Sequence, residues 1–281
     1  MTYLSGLSGA IFANFLWGVS PLYYSKLGSV NPVLLLCAQV VLTFLVLTAV
    51  YGLKRTDVET KSLLRSAPTA ALIGMNWAAY VAAVMHGMAL QASVAYLIAP
   101  ILTLVIAAVV FNEPMSGKQK VGVLLSTAAV VLDVALTNEI PYYGILIALP
   151  FAGYIVLHKK AGGASPTKAL QIETLVLTPV ALVSLSICWR SIAVADIAWP
   201  TICVLAFIGV VNALPLALFI RSAPKLSPSQ LSACQFIAPV TSAVVCHFAF
   251  EAPIGLAKLL VLSLLCVGMS CAIMPRRFYR A

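Results

Sequence analysis

Charge is scarce in this chain. Asp, Glu, Lys and Arg make up 9% of its 281 positions, where soluble domains carry roughly a quarter, and no water-soluble fold could cover the apolar surface that remains. Acidic residues number 8 and histidines 3. His86, His158 and His247 fall near the ends of three different apolar segments, so no histidine cluster, carboxylate pair or metal-ligand set converges at one depth. Neither a metal nor a cofactor is expected. GxSxG, HExxH and glycine-rich phosphate loops are also missing, which together with the scattered histidines argues against an enzyme. The 7 cysteines, Cys37, Cys188, Cys203, Cys234, Cys246, Cys266 and Cys271, form no CxxC pair and lie within or beside apolar segments. They read as small packing residues. Long polar connections are absent too: the longest, around Lys54–Ser62, cannot hold a folded domain, so any chemistry must lie among the helices.

What the chain does have is apolar length. Hydrophobic residues make up 62% of it, in blocks of about 18 to 22, enough to cross a hydrocarbon core of ~30 Å at 1.5 Å per residue. The blocks predict ten spans: Ser5–Ser25, Pro32–Leu53, Leu64–Met85, Gln91–Phe111, Gln119–Ala135, Pro141–Leu157, Lys168–Trp189, Thr201–Ile220, Pro228–Phe250 and Ile254–Pro275. Between them stand the turn formers, as in Lys26–Pro32, Asn112–Gly117, Gly162–Pro166 and Lys225–Pro228. The expected fold class is all-α transmembrane.

The formal charge is +9, which invites a nucleic-acid partner, but the basic residues alternate by side instead of forming one patch. With the N-terminus inside, only Lys26, Arg190 and Lys258 of the 17 basic residues fall outside. Lys54, Arg55, Lys61 and Arg65, then Lys118 and Lys120, then Lys159, Lys160 and Lys168, then Arg221 and Lys225, and finally Arg276, Arg277 and Arg280 all fall inside. The positive-inside rule therefore predicts a multi-pass protein of the cytoplasmic (inner) membrane with both termini cytoplasmic and lipid, not nucleic acid, around it. Lys26 after the first span favours the opposite sense, and the four-charge loop after span two outweighs it. The first span is too long, and lacks the basic n-region, for a cleaved signal peptide.

Ser93-Val-Ala-Tyr-Leu-Ile-Ala-Pro100 and Ser232-Ala-Cys-Gln-Phe-Ile-Ala-Pro239 align at an offset of 139 residues, and the same register pairs Phe111 with Phe250 and Pro114 with Pro253. Glu113 and Glu251 stand one position out of step. The match predicts two repeats, residues 1–137 and 138–281, of five spans each. Five being odd, the second repeat enters the membrane inverted, the arrangement of many secondary transporters. Channels can also be duplicated, so the repeat alone does not show transport.

Prolines inside spans remove the amide that would bond the carbonyl four residues earlier. Pro100, Pro150, Pro179, Pro215 and Pro239 are thus expected to face other helices or a wet cavity, or to serve packing alone. Pro100, Pro215 and Pro239 are the candidate helix kinks. Polar residues at mid-span are Asn14 and Trp17, Gln39, Asn76, Trp77 and Tyr80, Tyr96, Asn212 and Gln235. Asn76 and Tyr80 share a helix face, as do Tyr96 with Pro100 and Gln235 with Pro239. Amides and aromatics at this depth either orient a small polar substrate in an apolar cavity or bond one helix to another. The candidate cavity residues are Asn14, Trp17, Asn76, Tyr80, Tyr96, Asn212 and Gln235. Glu173, about a turn and a half into span seven, is the candidate for proton coupling; at that depth, snorkelling to the interface is the other reading. Asp133 and His247 lie nearer the outer ends.

Leu16-Trp-Gly-Val-Ser-Pro-Leu-Tyr23, Asn76-Trp77 with His86-Gly87, Ala92–Pro100, Ile172-Glu-Thr-Leu175 with Pro179, Asn212-Ala-Leu-Pro-Leu216 and Gln235–Pro239 together resemble the drug/metabolite transporter superfamily. The resemblance is to its EamA-type ten-helix carriers, and within them to the RarD-like branch. It runs through nearly the whole chain. It implies two inverted five-helix repeats around a central cavity lined mainly by spans one, three, four, six, eight and nine, and a carrier of amino acids, other metabolites or drugs. Ala38-Gln39, where the branch usually has a basic residue, and Met85, Met88, Gln91 and Ala99 depart from the pattern toward a less charged cavity. The expected function is secondary transport by alternating access of a small amphipathic or zwitterionic metabolite, with protons as a candidate coupling ion. The alternatives are a passive channel-like facilitator and a non-transporting scaffold.

The topology has a test that needs no substrate. Single cysteines at Lys54 and Lys159 should react with an impermeant thiol reagent only from the cytoplasmic side, and one at Glu139 only from outside. Labelling of positions 139 and 159 from the same face would rule out the five-plus-five arrangement.

Overall fold

The structure, a computed structural model, describes residues 2–86, 88–112, 115–138, 140–161, 165–192, 197–250 and 255–273. Glu113, Pro114, Glu139, Glu251, Pro253, Arg276, Arg277 and Arg280 lie outside the described residues, as do the side chains of Tyr96, Cys246 and Lys258.

The described chain is helical, with no strand among the described residues. Its α-helices are α1 (Thr2–Tyr24), α2 (Pro32–Tyr51), α3 (Thr60–Met85), α4 (Ala89–Val110), α5 (Gly117–Thr137) and α6 (Tyr142–Ala161), followed by α7 (Pro166–Cys188), α8 (Trp199–Ala206), α9 (Ile208–Ser222), α10 (Pro228–Gln235), α11 (Ile237–Phe250) and α12 (Leu256–Ile273). The turn residues act as their chemistry predicts. Asn31 caps α2 by accepting from Val33 N, with Pro32 in the first turn. Ser116 with Gln119 and Ser227 with Gln230 form reciprocal capping boxes at the starts of α5 and α10. Asn138, at φ 59°, ends α5 in the left-handed region.

Pro32–Tyr51, Gly117–Thr137, Tyr142–Lys160, Thr167–Cys188 and the joined stretch Trp199–Lys225 are long and apolar enough to cross a membrane, and Ile98–Val110, Ala233–Ala249 and Leu259–Gly268 are shorter apolar helices. Large apolar side chains such as Leu45, Leu124, Val183, Ile187 and Phe248 face outward. This is a multi-pass α-helical membrane protein, its outer surface suited to lipid.

The packing follows a rule. α1 packs on α9 and on α10–α11, and α6 packs on α3 and α4; α2 packs on α9, and α7 on α3. Exchanging α1 with α6, α2 with α7, α3 with α8–α9, α4 with α10–α11 and α5 with α12 turns each of these pairs into another of them. The pairs α2 with α7, α5 with α12 and α4 with α10 map onto themselves.

Close approach depends on small residues, as expected where lipid competes equally for apolar side chains. A Cβ on Gly18 would meet Thr241 and the carbonyl of Ala238, and one on Gly209 would collide with the backbone of Leu42. These two positions set the α1–α11 and α2–α9 contacts. Polar staples join other pairs. Lys168 Nζ and Gln171 Nε2 both donate to the carbonyl of Gly52, at 2.7 and 3.1 Å, tying the start of α7 to the end of α2. Tyr23 donates to Val204 O at 2.7 Å and ties α1 to α8.

The prolines behave unequally. α4 runs unbroken through Pro100 and α9 through Pro215, whereas predicted span nine breaks at Phe236, three residues before Pro239. Predicted span eight is also split, but at Phe207, near the tight Gly209 contact and two turns away from Pro215. Pro100, Pro150, Pro215 and Pro239 are buried, as expected. Pro179 is not: it lies on the exposed face of α7, so the expectation that it faces a helix or cavity is corrected. A helix keeps its remaining bonds around one missing amide when the ring can point outward.

Gly209→Ala places a methyl against fixed backbone, so α2 and α9 must separate. Overpacking of this kind costs about 1–3 kcal/mol; the purified variant should unfold several degrees below the parent in a thermal assay, and an unchanged midpoint would show that the contact has room to give.

Candidate functional site

The four-residue spacing of Asn76 and Tyr80 puts both on the face of α3 that looks toward α1, α4 and α6, and the C-terminal half of α1 presents Asn14, Trp17, Ser20 and Tyr24 to the same space. Together with Gln39 of α2, Ala95 and Ala99 of α4, Ile147, Ala148 and Phe151 of α6, Val211, Asn212 and Leu216 of α9 and Gln235 of α10, they line one cavity. Its volume is about 80 Å³, room for several waters. Six of the seven sequence-predicted cavity residues, Asn14, Trp17, Asn76, Tyr80, Asn212 and Gln235, meet here. The side chain of the seventh, Tyr96, lies outside the description.

None of the described lining residues is charged. Polarity comes from amides and hydroxyls, most of them already engaged. Gln39 Nε2 donates to Asn212 Oδ1 at 3.0 Å, and the Tyr24 hydroxyl lies 3.3 Å from both Gln39 Oε1 and Asn212 Oδ1. Asn212 Nδ2 donates to Ile208 O at 2.9 Å. This network joins α1, α2 and α9 along one wall. Across the cavity Asn76 Nδ2 donates to Ile147 O at 2.8 Å, joining α3 to α6, and Asn14 Nδ2 bonds Ala10 O in its own helix at 2.7 Å. Gln235 differs: it is 3% exposed, and neither Oε1 nor Nε2 has a hydrogen-bond partner among the described residues.

Aromatic rings close one end. Trp17 meets Phe151 edge-on at 5.5 Å between centroids and Phe219 at 5.3 Å, and Phe151 stacks on Tyr154 at 6.4 Å. Beyond this floor lies Glu173. It is completely buried, and it does not snorkel. The Tyr154 hydroxyl donates to Glu173 Oε2 at 2.9 Å, and His158 Nε2 lies 2.8 Å from Glu173 Oε1. His158 begins the basic end of α6, followed by Lys159 and Lys160. The cavity-lining residues of α6 lie toward its other end. From cavity to basic end the order is thus cavity, aromatic floor, then the Tyr154–Glu173–His158 cluster.

Several of these residues escaped the sequence reading. Gln39 stood among the mid-span polar residues but outside the predicted cavity set; its amide, four residues before Thr43 on a strongly apolar helix, was the signal. Tyr24 was hidden at the edge of predicted span one. Ser20, Phe151 and the two alanines carry no mark that separates a cavity wall from a packed core. His158 was placed at a helix end without a partner, and only the fold brings it to Glu173. Among the described residues no group of three or more His, Cys, Asp or Glu converges to hold a metal. Cys37 and Cys234 are buried, Cys203 and Cys266 face outward, and no disulfide forms among the described cysteines.

The pocket is enclosed by a membrane-crossing helical bundle, and comparison with known proteins gives the class and the family. Residues 4–134 match the model of the EamA-like transporter family. Protein RarD of Streptomyces exfoliatus is 30% identical over 249 residues, covering 84% of this chain and 78% of that protein. Protein RarD of Escherichia coli K12 is 26% identical over 284 residues, covering 96% and 94%, and the uncharacterized transporter YojE of Bacillus subtilis is 28% identical over 253 residues, covering 86% and 85%. One solved crystal structure shares the fold, with a TM-score of 0.71 at 15% identity over 95% of this chain and 98% of the other. The chain belongs to the EamA-like transporter family of the drug/metabolite transporter superfamily and is RarD-like.

Proposed function

We propose that this transporter is a secondary carrier of the inner membrane that moves a small, net-neutral metabolite, amphipathic or zwitterionic, such as an amino acid or a derivative, by alternating access. The observation that carries the reading is the cavity: uncharged, walled by aromatic rings and amides, and bounded by helices of both halves of the chain. A lone ion moved into it would lose several kcal/mol of hydration with no countercharge to offset the loss. An amphipathic solute would lay its apolar part on the rings and its polar edge on the amides. Asn14, Trp17, Asn76, Tyr80, Asn212 and Gln235, with Tyr96, are proposed as substrate contacts. The name of a Pseudomonas aeruginosa relative, chloramphenicol-sensitive protein RarD, 26% identical over 117 residues, supports including neutral drugs among the solutes to screen.

The mechanism rests on ten spans in two inverted repeats, 1–137 and 138–281, with both termini cytoplasmic. The packing that maps onto itself when the first five spans exchange with the second five supports this, as does the shared Ile-Ala-Pro. In such a bundle, exchanging the conformations of the two halves exchanges the side from which the cavity is reached. With the basic helix ends inside, the Trp17–Phe151–Tyr154 floor closes the cytoplasmic side. Glu173 is proposed as the coupling group: losing a proton there would strengthen, and gaining one would weaken, the bonds it makes with Tyr154 and His158 beneath the floor.

The test starts from a thermal-shift screen of the purified protein. Binding raises stability by mass action, about 2.7 kcal/mol at a hundredfold excess over Kd. A hit is then followed in proteoliposomes. A carrier gives saturable uptake and counterflow; a passive pore gives no counterflow, and a scaffold gives neither. Glu173→Gln should abolish accumulation driven by a proton gradient and leave counterflow intact. Accumulation that persists in Glu173→Gln would remove the coupling role, and loss of both activities would make the residue structural.

A further inference from the structure

Every amide around the cavity whose partner is known faces its own helix or a neighbouring one. Gln235 is the exception. Its side chain is nine-tenths or more buried, it lines the cavity, and both of its polar atoms are covered and without a hydrogen-bond partner among the described residues, so the amide meets a ligand once its side chain turns into the cavity. Buried polar groups in native proteins nearly always have partners, so an unpartnered pair calls for one. α10 ends at Gln235 and the chain turns at Phe236, which fixes the backbone that carries the amide. Ala95 and Ala99 of α4 line the cavity with methyl groups and leave space that larger residues would fill.

We propose that Gln235 reads a planar edge with an acceptor and an N–H donor side by side, the edge of a primary carboxamide, lactam or imide. The assignment rests on the carrier reading and names the substrate class within it. A carboxamide offers one acceptor and an NH₂ donor group, and a ligand with the reversed pattern closes a ring of two hydrogen bonds with it. The side chain can turn over end for end without losing this match, so the inference does not depend on which atom is oxygen and which nitrogen. The rings of Trp17, Trp77 and Tyr80 would bracket a flat ligand body, and the lack of charge in the lining keeps the ligand net-neutral. A ligand that supplies both bonds to the amide gains, and one that covers it without supplying them loses. Discrimination therefore falls on the hydrogen-bonding edge more than on size.

Benzamide and acetophenone form a matched pair: the same ring and carbonyl, with NH₂ in one and CH₃ in the other. Acetophenone is the more hydrophobic and would bind better in a merely greasy pocket. Titrating the purified full-length protein with each, read by tryptophan fluorescence and thermal shift, should give benzamide an advantage of about tenfold or more. In Gln235→Met, similar in volume but without the amide, the advantage should vanish. Equal or stronger binding of acetophenone to the parent protein would overturn the assignment, and so would a preference retained in Gln235→Met or no binding of either compound at the solubility limit. If Gln235→Met does not fold, the pair measured on the parent still decides. Counterflow of a screened substrate does not depend on this edge, so a carrier that exchanges its substrate but ignores the pair keeps the carrier reading and loses the amide assignment.

Discussion

Inside a hydrocarbon core no water completes the hydrogen bonds of a backbone or an amide, so each polar group at depth must find its partner within the protein. The structure is organised by that demand. Asn76 reaches the carbonyl of Ile147, Gln39 and Tyr24 converge on Asn212, and Tyr154 and His158 converge on Glu173. These bonds connect α3 to α6, α1 and α2 to α9, and α6 to α7. They hold the helices apart at a fixed geometry and leave a pocket between them. Gln235 stands out against this background because both polar atoms of its amide lack a partner among the described residues.

Packing supplies the rest of the cohesion. Lipid tails are as apolar as leucine, so helices associate by close fit, not by escape from solvent. Gly18 and Gly209 allow backbone-level contact where α1 meets α11 and α2 meets α9. Both contacts cross between the first five predicted spans and the second five.

How much of this could be read in the sequence depends on the kind of signal. Apolar length identified a multi-pass helical bundle because the membrane imposes it on composition directly. The mid-span amides and aromatics stood out for the same reason: at that depth each is costly, and six of the seven chosen line one cavity. What the sequence could not give were relations between helices. His158 and Glu173 come from different helices, and no periodicity links them. Phe151, Ala95 and Ala99 look like any packed residue until the cavity is seen. The break at Phe207 lies beside a glycine contact with Leu42 that only the fold creates, while the prolines that advertise kinks leave α4 and α9 unbroken. Pro179, read as inward, points outward because one missing amide does not determine which way a helix turns.

The central claim is that the cavity is reached alternately from the two sides of the membrane. A single cysteine at Ala99, on the cavity wall, placed in a background without the native cysteines, reports this directly. Its reaction with an impermeant thiol reagent would be measured in right-side-out and inside-out vesicles. The account predicts modification from both faces without passage of the reagent across the membrane. Crosslinking cysteines introduced at Trp17 and Phe151, which holds the floor closed, should abolish modification from the cytoplasmic face and spare it from the other. Modification from one face only in the uncrosslinked protein, or leakage of reagent through it, would contradict alternating access.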